Sequence, residues 1–220
     1  MKIPLSTRLL ACAEFVRPGD RIADIGCDHG YLTLYLLHNH IAQSAIAADI
    51  NEMPLQCARI NAEKYGYSSK ISFHLSDGAQ NIPQDFDVMI CAGMGADTII
   101  SILTNAPWLK NTKYRLILQC QSKTPMLRKY LSDNGWRIDD EHVLRDGRFL
   151  YTVMNISFAP DKPGLTEAQC YITPALLRTE SEQVHEYCKW VIEGLKIQTA
   201  HRDDPLLNAI LNDLTREDLT

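Results

Sequence analysis

Short apolar runs alternate with helix-like patterns along the first 160 residues, and this alternation restricts the fold more than any other feature of the sequence. Five apolar runs have the length and composition of buried strands, and a helical pattern follows four of them. Repeated strand–helix units predict a parallel sheet with helices on both faces. The predicted strands here are 21–25, 44–48, 71–75, 86–91 and 115–119, and the helices are 31–38, 54–65, 96–103 and 124–133.

Two further strands, 137–143 and 149–158, are predicted after the strand–helix units. The segment 145–148 between them, Arg-Asp-Gly-Arg, is typical of a hairpin turn, so this edge of the sheet should be antiparallel. A Pro- and Gly-containing linker follows Phe158, and helical patterns at 180–197 and 205–214 predict a helical hairpin. We therefore expect an α/β, Rossmann-like domain at 1–160 and a C-terminal helical, coiled-coil-like domain at 161–220.

The composition restricts the class of protein. With 45% hydrophobic residues the chain can bury a core. No apolar run approaches the roughly 18 residues that span a bilayer, and the N-terminus lacks a signal-peptide pattern. The seven cysteines form no Cys-x-x-Cys pair, which argues against a disulfide framework or a metal site and favours a cytoplasmic location.

Charge is distributed unevenly along the chain. The net charge of −5 does not favour nucleic-acid binding. Between residues 98 and 132, however, there are six basic side chains and no acidic one. This stretch predicts either a basic face for a polyanionic partner or an ordinary solvated surface.

Glycines and acids follow each of the first four predicted strands. Asp24 leads into the loop 26–30, Gly-Cys-Asp-His-Gly; Asp49 follows the second strand, 76–78 (Ser-Asp-Gly) the third and 93–95 (Gly-Met-Gly) the fourth. Open α/β sheets bind ligands at the carboxyl ends of their strands. Each signal alone also fits a turn or a helix cap. Four signals after four successive strands indicate a nucleotide-type cofactor.

The glycine spacing separates two classes of cofactor. Dinucleotide-binding loops use Gly-x-Gly-x-x-Gly and place a pyrophosphate at a helix N-terminus. Here the spacing is Gly26-x-x-x-Gly30, and the carboxylate of Asp28 would repel a pyrophosphate. It suits S-adenosylmethionine (SAM), which carries an ammonium, a sulfonium and no phosphate. Asp49 is placed to accept from ribose hydroxyls, and Asp77 from an adenine amino group. An NAD-dependent oxidoreductase is the disfavoured alternative.

These motifs resemble those of the bacterial tRNA adenine-N1-methyltransferases that modify adenine 22. The similarity covers nearly the whole chain, and its most specific signals are Asp28-His29 in the loop and Gly-Met-Gly at 93–95. The sequence departs from the family pattern at Ala96, at Cys120-Gln121 and at Thr173. The resemblance implies a seven-stranded class I methyltransferase sheet, SAM as cofactor and tRNA as partner. The implied cofactor-binding residues are Asp24, Gly26, Asp28, His29, Gly30, Asp49, Ile50, Asp77, Gly78, Gly93, Met94 and Gly95.

The implied reaction is methyl transfer to adenine N1, whose in-plane lone pair needs no strong base. Catalysis then depends on alignment and on exclusion of water. Asp28 is the candidate for stabilising the cationic product ring. Tyr31 is the candidate for stacking on the base or the methionine moiety, or is a core residue. Gln119 is the candidate for bonding the base edge, or is a polar residue at a strand end.

Four basic residues are the expected tRNA contacts: Arg8, Lys123, Arg128 and Lys129. No metal is expected, and monomer and dimer both remain open. Two other functions remain open as well. One is a SAM-dependent methyltransferase acting on a small molecule, a protein or another RNA. The other is a catalytically weak RNA-binding module that retains SAM.

Overall fold

A computed structural model describes residues 3–216 and contains one mixed sheet of seven strands within that range. The predicted α/β sheet is therefore confirmed. The strands are β1 (Asp20–Ile25), β2 (Ala42–Asp49), β3 (Ile71–Leu75), β4 (Val88–Met94), β5 (Arg115–Cys120), β6 (Trp136–Asp146) and β7 (Phe149–Phe158). The helices are α1 (Thr7–Glu14), α2 (Tyr31–His38), α3 (Glu52–Tyr65), α4 (Ala96–Asn105), α5 (Thr124–Asp133), α6 (Glu167–Tyr171), α7 (Pro174–Leu177), α8 (Glu182–His201) and α9 (Pro205–Arg216).

The strand order places a ligand site at the centre of the sheet. The order is β3-β2-β1-β4-β5-β7-β6, with β1 to β5 parallel and β7 antiparallel to β5. The chain moves outward from β1 to β3 and then returns to the other side of β1 as β4. The loops after β1 and β4 therefore diverge at this reversal and leave a crevice between them.

Two apolar clusters fill the two faces of the sheet. Helices α1, α2 and α3 cover one face, where Leu34, Leu36 and Leu55 have no exposed surface. Helices α4 and α5 cover the other face, where Ile99 and Leu127 are equally buried. Burying both faces stabilises a parallel sheet, and the short apolar runs of the sequence follow from it.

The C-terminal helices have their own apolar cluster, which also reaches the sheet. Val184, Ile192 and Leu195 of α8 pack in this cluster, and Val143 of β6 and Leu150 of β7 pack against it. The two predicted helices, 180–197 and 205–214, correspond to α8 and α9. The short helices α6 and α7 were not predicted, because four or five residues are too few to show a helical period.

The fourth strand lies later than predicted. It was expected at 86–91 and is found at Val88–Met94. Phe86 precedes the strand and packs in the core against Tyr114, with ring centroids 4.8 Å apart. At the far end, Met94 pairs with Cys120 after a shift in register that passes over Gly93. None of the helices between residues 3 and 216 combines the length and apolar character of a bilayer-spanning helix.

Candidate functional site

A cavity of about 340 Å³ opens at the carboxyl ends of β1, β4 and β5, where the strand order reverses. Helix α1 and the start of α2 complete its walls. Its lining combines acids, glycines and amides, as a site for a small polar ligand requires. The lining residues are Ser6, Arg8, Leu9, Asp24, Gly26, Cys27, Asp28, His29, Tyr31, Leu32, Ala92, Gly93, Met94, Gln119 and Gln121.

The loop after β1 is held in a left-handed path. Gly26, Asp28 and Gly30 have φ values of 71°, 50° and 72°. Positive φ is easy for glycine and uncommon for aspartate, so Asp28 occupies a backbone conformation that its surroundings must stabilise. A Cβ on Gly26 would overlap Cε of Met94, the end of a flexible side chain. That side chain can move aside, so the positive φ is the stronger reason for glycine at position 26.

Asp49 stabilises this loop from the end of β2. One carboxylate oxygen accepts from the backbone N–H of Asp28 at 3.2 Å, and the other accepts from that of Asn51 at 2.9 Å. Asp49 is 8% exposed, whereas the next residue, Ile50, is 60% exposed. An acid at this position can hold the loop while keeping lone pairs for a ribose hydroxyl. Ile50 offers an apolar face beside it.

Asp24 is a buried carboxylate without a cationic partner among residues 3–216. It is 4% exposed, and the Thr33 hydroxyl donates to it at 2.7 Å. Burial raises its pKa to about 6, and the neighbouring charges of Asp49 and Asp28 act in the same direction. A cationic ligand group in the cavity would stabilise the ionised form of Asp24.

Asp28 and Tyr31 present side chains to the cavity in different ways. The Asp28 side chain is 70% exposed, and its Oδ1 lies 3.7 Å from Nε2 of His29. The ring of Tyr31 is half-buried and packs against the cluster under α2 while lining the cavity. Asn61 donates to the carbonyl of His29 at 3.0 Å, so His29 also helps to fix the loop.

Gln119 is fully buried and uses both ends of its amide within the protein. Its Oε1 accepts from the backbone N–H of Gly93 at 2.9 Å, and its Nε2 donates to the carbonyl of Cys120 at 3.1 Å. This arrangement holds the loop after β4. The exposed amide at the cavity is Gln121, which sequence reasoning treated only as a departure from the family pattern. Gln121 follows the end of β5, and a polar residue just past the carboxyl end of a central strand was the signal available in the sequence.

Several predicted cofactor residues lie outside the cavity lining. Gly30, Gly78 and Gly95 allow close packing, since an added Cβ would lie 3.1 Å from Ala58, 2.8 Å from Ile102 and 3.1 Å from Ser122, respectively.

Asp77 is exposed in the turn after β3. The cavity therefore brings together Asp24, Gly26, Asp28, His29, Gly93 and Met94, while Asp49, Ile50 and Asp77 extend the site along the carboxyl ends of β2 and β3.

Three of the four expected tRNA contacts have exposed or partly exposed side chains, and each already has an acidic neighbour. Arg8 pairs with Asp146 at 2.8 Å at the cavity wall. Lys123 pairs with Asp97 at 2.8 Å, and Lys129 pairs with Glu167 at 2.9 Å and Asp133 at 3.4 Å. These acids offset much of the basic character of 98–132.

The expectation that Arg128 contacts tRNA is wrong, because its side chain has no exposed surface. It pairs with the equally buried Glu141 at 2.5 Å and donates to the carbonyls of Cys170 and Tyr171 at 3.1 and 2.7 Å. The helical period of α5 places this residue toward the sheet. Composition alone does not reveal that a buried partner faces it.

Other chemistry at the site is restricted. Burial raises the pKa of the Cys27 thiol at the cavity wall, so this thiol stays protonated and is a poor nucleophile. Among residues 3–216 no group of three or more His, Cys, Asp or Glu side chains is arranged to hold a metal ion. The arrangement instead offers carboxylates, amides and backbone groups to a cationic, nucleoside-like ligand.

Comparisons with known proteins give a consistent result. A family described as "Methyltransferase domain" matches residues 5–154. The tRNA (adenine(22)-N(1))-methyltransferase of Bacillus subtilis is 36% identical over 154 residues, which are 70% of this chain and 65% of that relative, just under two thirds. A putative tRNA methyltransferase of Mycoplasma genitalium is 31% identical, covering 71% of this chain and 70% of that protein.

A solved structure resembles the whole chain. It is a putative tRNA (m1A22) methyltransferase of Streptococcus pneumoniae in complex with S-adenosyl-L-methionine. The TM-score is 0.84 at 28% identity, and the match covers 97% of this chain and 99% of the other. The match therefore includes the C-terminal helices as well as the sheet.

Proposed function

The chain belongs to the methyltransferase-domain family, and we propose that it uses SAM to methylate N1 of adenine 22 in tRNA. The observation that carries the proposal is the cavity at the strand reversal, with a buried Asp24 that has no cation within residues 3–216. The similarity to the tRNA (adenine(22)-N(1))-methyltransferase of Bacillus subtilis supports the target base. A tRNA substrate also places the reaction in the cytoplasm.

The residues of the cavity fit SAM. When bound, SAM supplies a methyl group made electrophilic by its sulfonium. Asp24 and Asp28 would hold the positively charged methionine part, since two acids in one cavity favour a cation. Asp49 would accept from the ribose, with the exposed Ile50 and Asp77 beside the adenine. Gly26 lines the cavity without a side chain, and its positive φ favours glycine at this position.

The acceptor base needs alignment more than proton transfer. Adenine N1 attacks through a lone pair in the ring plane, so no residue has to remove a proton first. Tyr31 and Gln121 line the cavity where a flat ring would lie. The exposed carboxylate of Asp28 would stabilise the positive charge that the ring acquires. Gln119 acts indirectly in this proposal, by holding Gly93.

The tRNA extends beyond the cavity, and we assign its contacts to both parts of the chain. The SAM-binding part is 1–160 and the helical part is 161–220. The proposed contacts to phosphates remain Lys123, at the start of α5, Lys129, in the middle of α5, and Arg8, at the cavity wall. Each basic side chain would have to exchange its acidic neighbour for a phosphate. The contribution of each contact to the affinity for tRNA should therefore be modest.

Methyl transfer to defined tRNA transcripts tests the proposal. The purified chain is incubated with labelled SAM and a tRNA transcript that carries adenine at position 22, and the product is digested for nucleoside analysis. The matched control is the same transcript with guanine 22. We expect N1-methyladenosine only from the first transcript. If calorimetry detects SAM binding but no methylated adenosine forms, the proposed reaction is wrong. The alternative of an RNA-binding protein that retains SAM would then remain.

The Asp28→Asn variant tests the carboxylate separately. Losing an electrostatic contribution of this type costs on the order of a hundredfold or more in kcat in a water-excluded site, and we expect a smaller loss here because the Asp28 side chain is 70% exposed. If Asp28 only shapes the loop, both the Kd for SAM and kcat should stay close to those of the wild type, since asparagine also tolerates positive φ.

A further inference from the structure

A second opening continues from the cofactor cavity toward α8, and Gln121 lies where the two meet. Gln121 lines the cavity at the strand reversal and also two adjoining hollows of about 270 and 310 Å³. Leu150, Tyr151 and Trp190 line both hollows, and Arg148 lines the second. These five residues define the α8 groove, which has the β6–β7 hairpin on one side and α8 on the other.

Large aromatic rings are exposed along this groove. Trp190 is 62% exposed, and Phe149, at the start of β7, is 52% exposed. The ring of Trp190 lies beside that of the buried Tyr187, with centroids 5.8 Å apart, so its inner edge is packed. The exposed surface of such a ring is costly in water and offers a flat surface for stacking.

The charges at the groove favour an anion. Arg148 lies in the hairpin turn, with its guanidinium 4.9 Å from the ring centroid of Phe149, and it forms no salt bridge with any acid in the described part of the chain. The acid that lines the groove, Glu186, is paired with Arg145. Exposed aromatic rings beside an arginine are the combination that binds unstacked nucleotides.

We propose that the α8 groove binds an unpaired RNA nucleotide adjacent to the target adenosine, with its base stacked on Trp190 and a phosphate at Arg148. The proposal rests on the proposed function for the position of the acceptor. A base that leaves the stack to enter the cofactor cavity also leaves its neighbour without a partner. Stacking that neighbour on Trp190 would offset part of this cost.

The three tryptophans make the proposal measurable by intrinsic fluorescence. Trp136 is buried and Trp108 is half-buried, so Trp190 is the tryptophan most available to a base. Titration with the tRNA transcript should quench the wild-type emission and leave that of W190F almost unchanged. W190A should bind tRNA on the order of tenfold more weakly, whereas W190F should retain nearly full affinity because phenylalanine also stacks.

A matched pair of arginines tests the phosphate contact. Arg59, on α3, covers the ring of Phe73 at 4.8 Å, much as Arg148 covers Phe149, but lies at the opposite edge of the sheet. R148A should weaken tRNA binding several-fold. The slope of log K against the logarithm of the salt concentration should decrease by about one unit, the contribution of one phosphate contact. R59A should change neither. The Kd for SAM, measured in every variant, reports that the cofactor site remains folded.

The outcomes separate this proposal from the proposed function. If tRNA quenches the wild type no more than W190F, the α8 groove does not hold a stacked base, whether or not the chain forms N1-methyladenosine. Equal loss of affinity in R148A and R59A would also overturn the phosphate contact. Quenching through Trp190 without any methylation of adenine 22 would support the groove and contradict the proposed reaction.

Discussion

Two buried acids, Asp24 and Glu141, are compensated in opposite ways. Glu141 accepts from Nε and Nη2 of Arg128 at 3.2 and 2.5 Å and from the hydroxyl of Thr173 at 2.6 Å. Among residues 3–216, Asp24 accepts from a side chain only at Thr33, and burial, followed by the charges of Asp49 and Asp28, raises its pKa. Burying a charge is expensive unless it is paired. The charge of Glu141 is compensated within the protein, whereas Asp24, which has no cation among residues 3–216, is available to a ligand.

The location of each acid agrees with this difference. Arg128 and Glu141 connect α5 and β6 to the C-terminal helices, because Arg128 also donates to the carbonyls of Cys170 and Tyr171 and, at 3.3 Å, to the hydroxyl of Tyr187. Asp24 lies near the carboxyl end of β1, in the lining of the cavity. One region is complete without a ligand, and the other leaves a charge for which a cation is the natural partner.

The largest effect should come from removing one half of the complete pair. Arg128→Met leaves Glu141 buried without a cation, and we expect a loss of about 3–5 kcal/mol in the free energy of unfolding, measured with urea. The double variant Arg128→Met, Glu141→Leu should recover part of this loss, because no charge then remains buried. A single variant as stable as the wild type would show that the pair contributes nothing.

A pH-dependent effect should follow at Asp24. Its pKa is about 6 in the folded chain and 3.8 when unperturbed, so the folded state binds the proton more tightly. Stability should therefore fall as the pH rises through this window, by up to roughly 3 kcal/mol, and Asp24→Asn should remove this dependence. Unfolding measured at about pH 4.5 and about pH 7.5 gives the difference.

The same acid should control the binding of SAM. Because the ionised form of Asp24 is the one that attracts a cation, the affinity for SAM should weaken as the pH falls below about 6. Asp24→Asn should bind weakly with little dependence on pH in this range. If calorimetry on the wild type gave the same Kd for SAM above and below this pKa, Asp24 would not be the group that binds the cationic part of the cofactor.

A smaller effect is expected at the hydroxyl that supports Asp24. Thr33→Val removes the donor to the carboxylate and should cost about 1–2 kcal/mol near neutral pH, while moving the pH dependence of SAM binding upward. Thr152→Val is the matched control, since Thr152 is also buried and its hydroxyl has no hydrogen-bond partner within residues 3–216. Equal losses in the two variants would indicate packing rather than the hydrogen bond.

The smallest change in stability should come from exposed pairs. The double variant Lys123→Ala, Lys129→Ala should leave the free energy of unfolding close to that of the wild type, because solvent screens the ion pairs that the two lysines form. For tRNA binding by this variant, the slope of log K against the logarithm of the salt concentration should decrease by up to about 2, one unit for each phosphate contact. An unchanged slope would remove both lysines from the tRNA interface.

Periodicity and loop composition were sufficient to predict much of the fold. The seven strands, the antiparallel edge and the two long C-terminal helices follow from patterns within single segments. Glycine spacing and an acid at position 28 are local features, so the sequence could also predict a cofactor loop at 26–30, and the structure places residues 26–29 at the cavity. The short helices α6 and α7 and the later position of β4 were not predicted, since packing and register decide them.

The sequence by itself determined which strands exist and which strand ends carry acids and glycines, because neighbours in the chain encode these properties. Only the tertiary structure decided which side chains meet. It placed Arg128 against Glu141 instead of solvent, turned Gln119 inward to hold Gly93, and left Gln121 and Trp190 exposed beside the cavity. Burial and pairing depend on residues distant in sequence, so no local pattern could assign them.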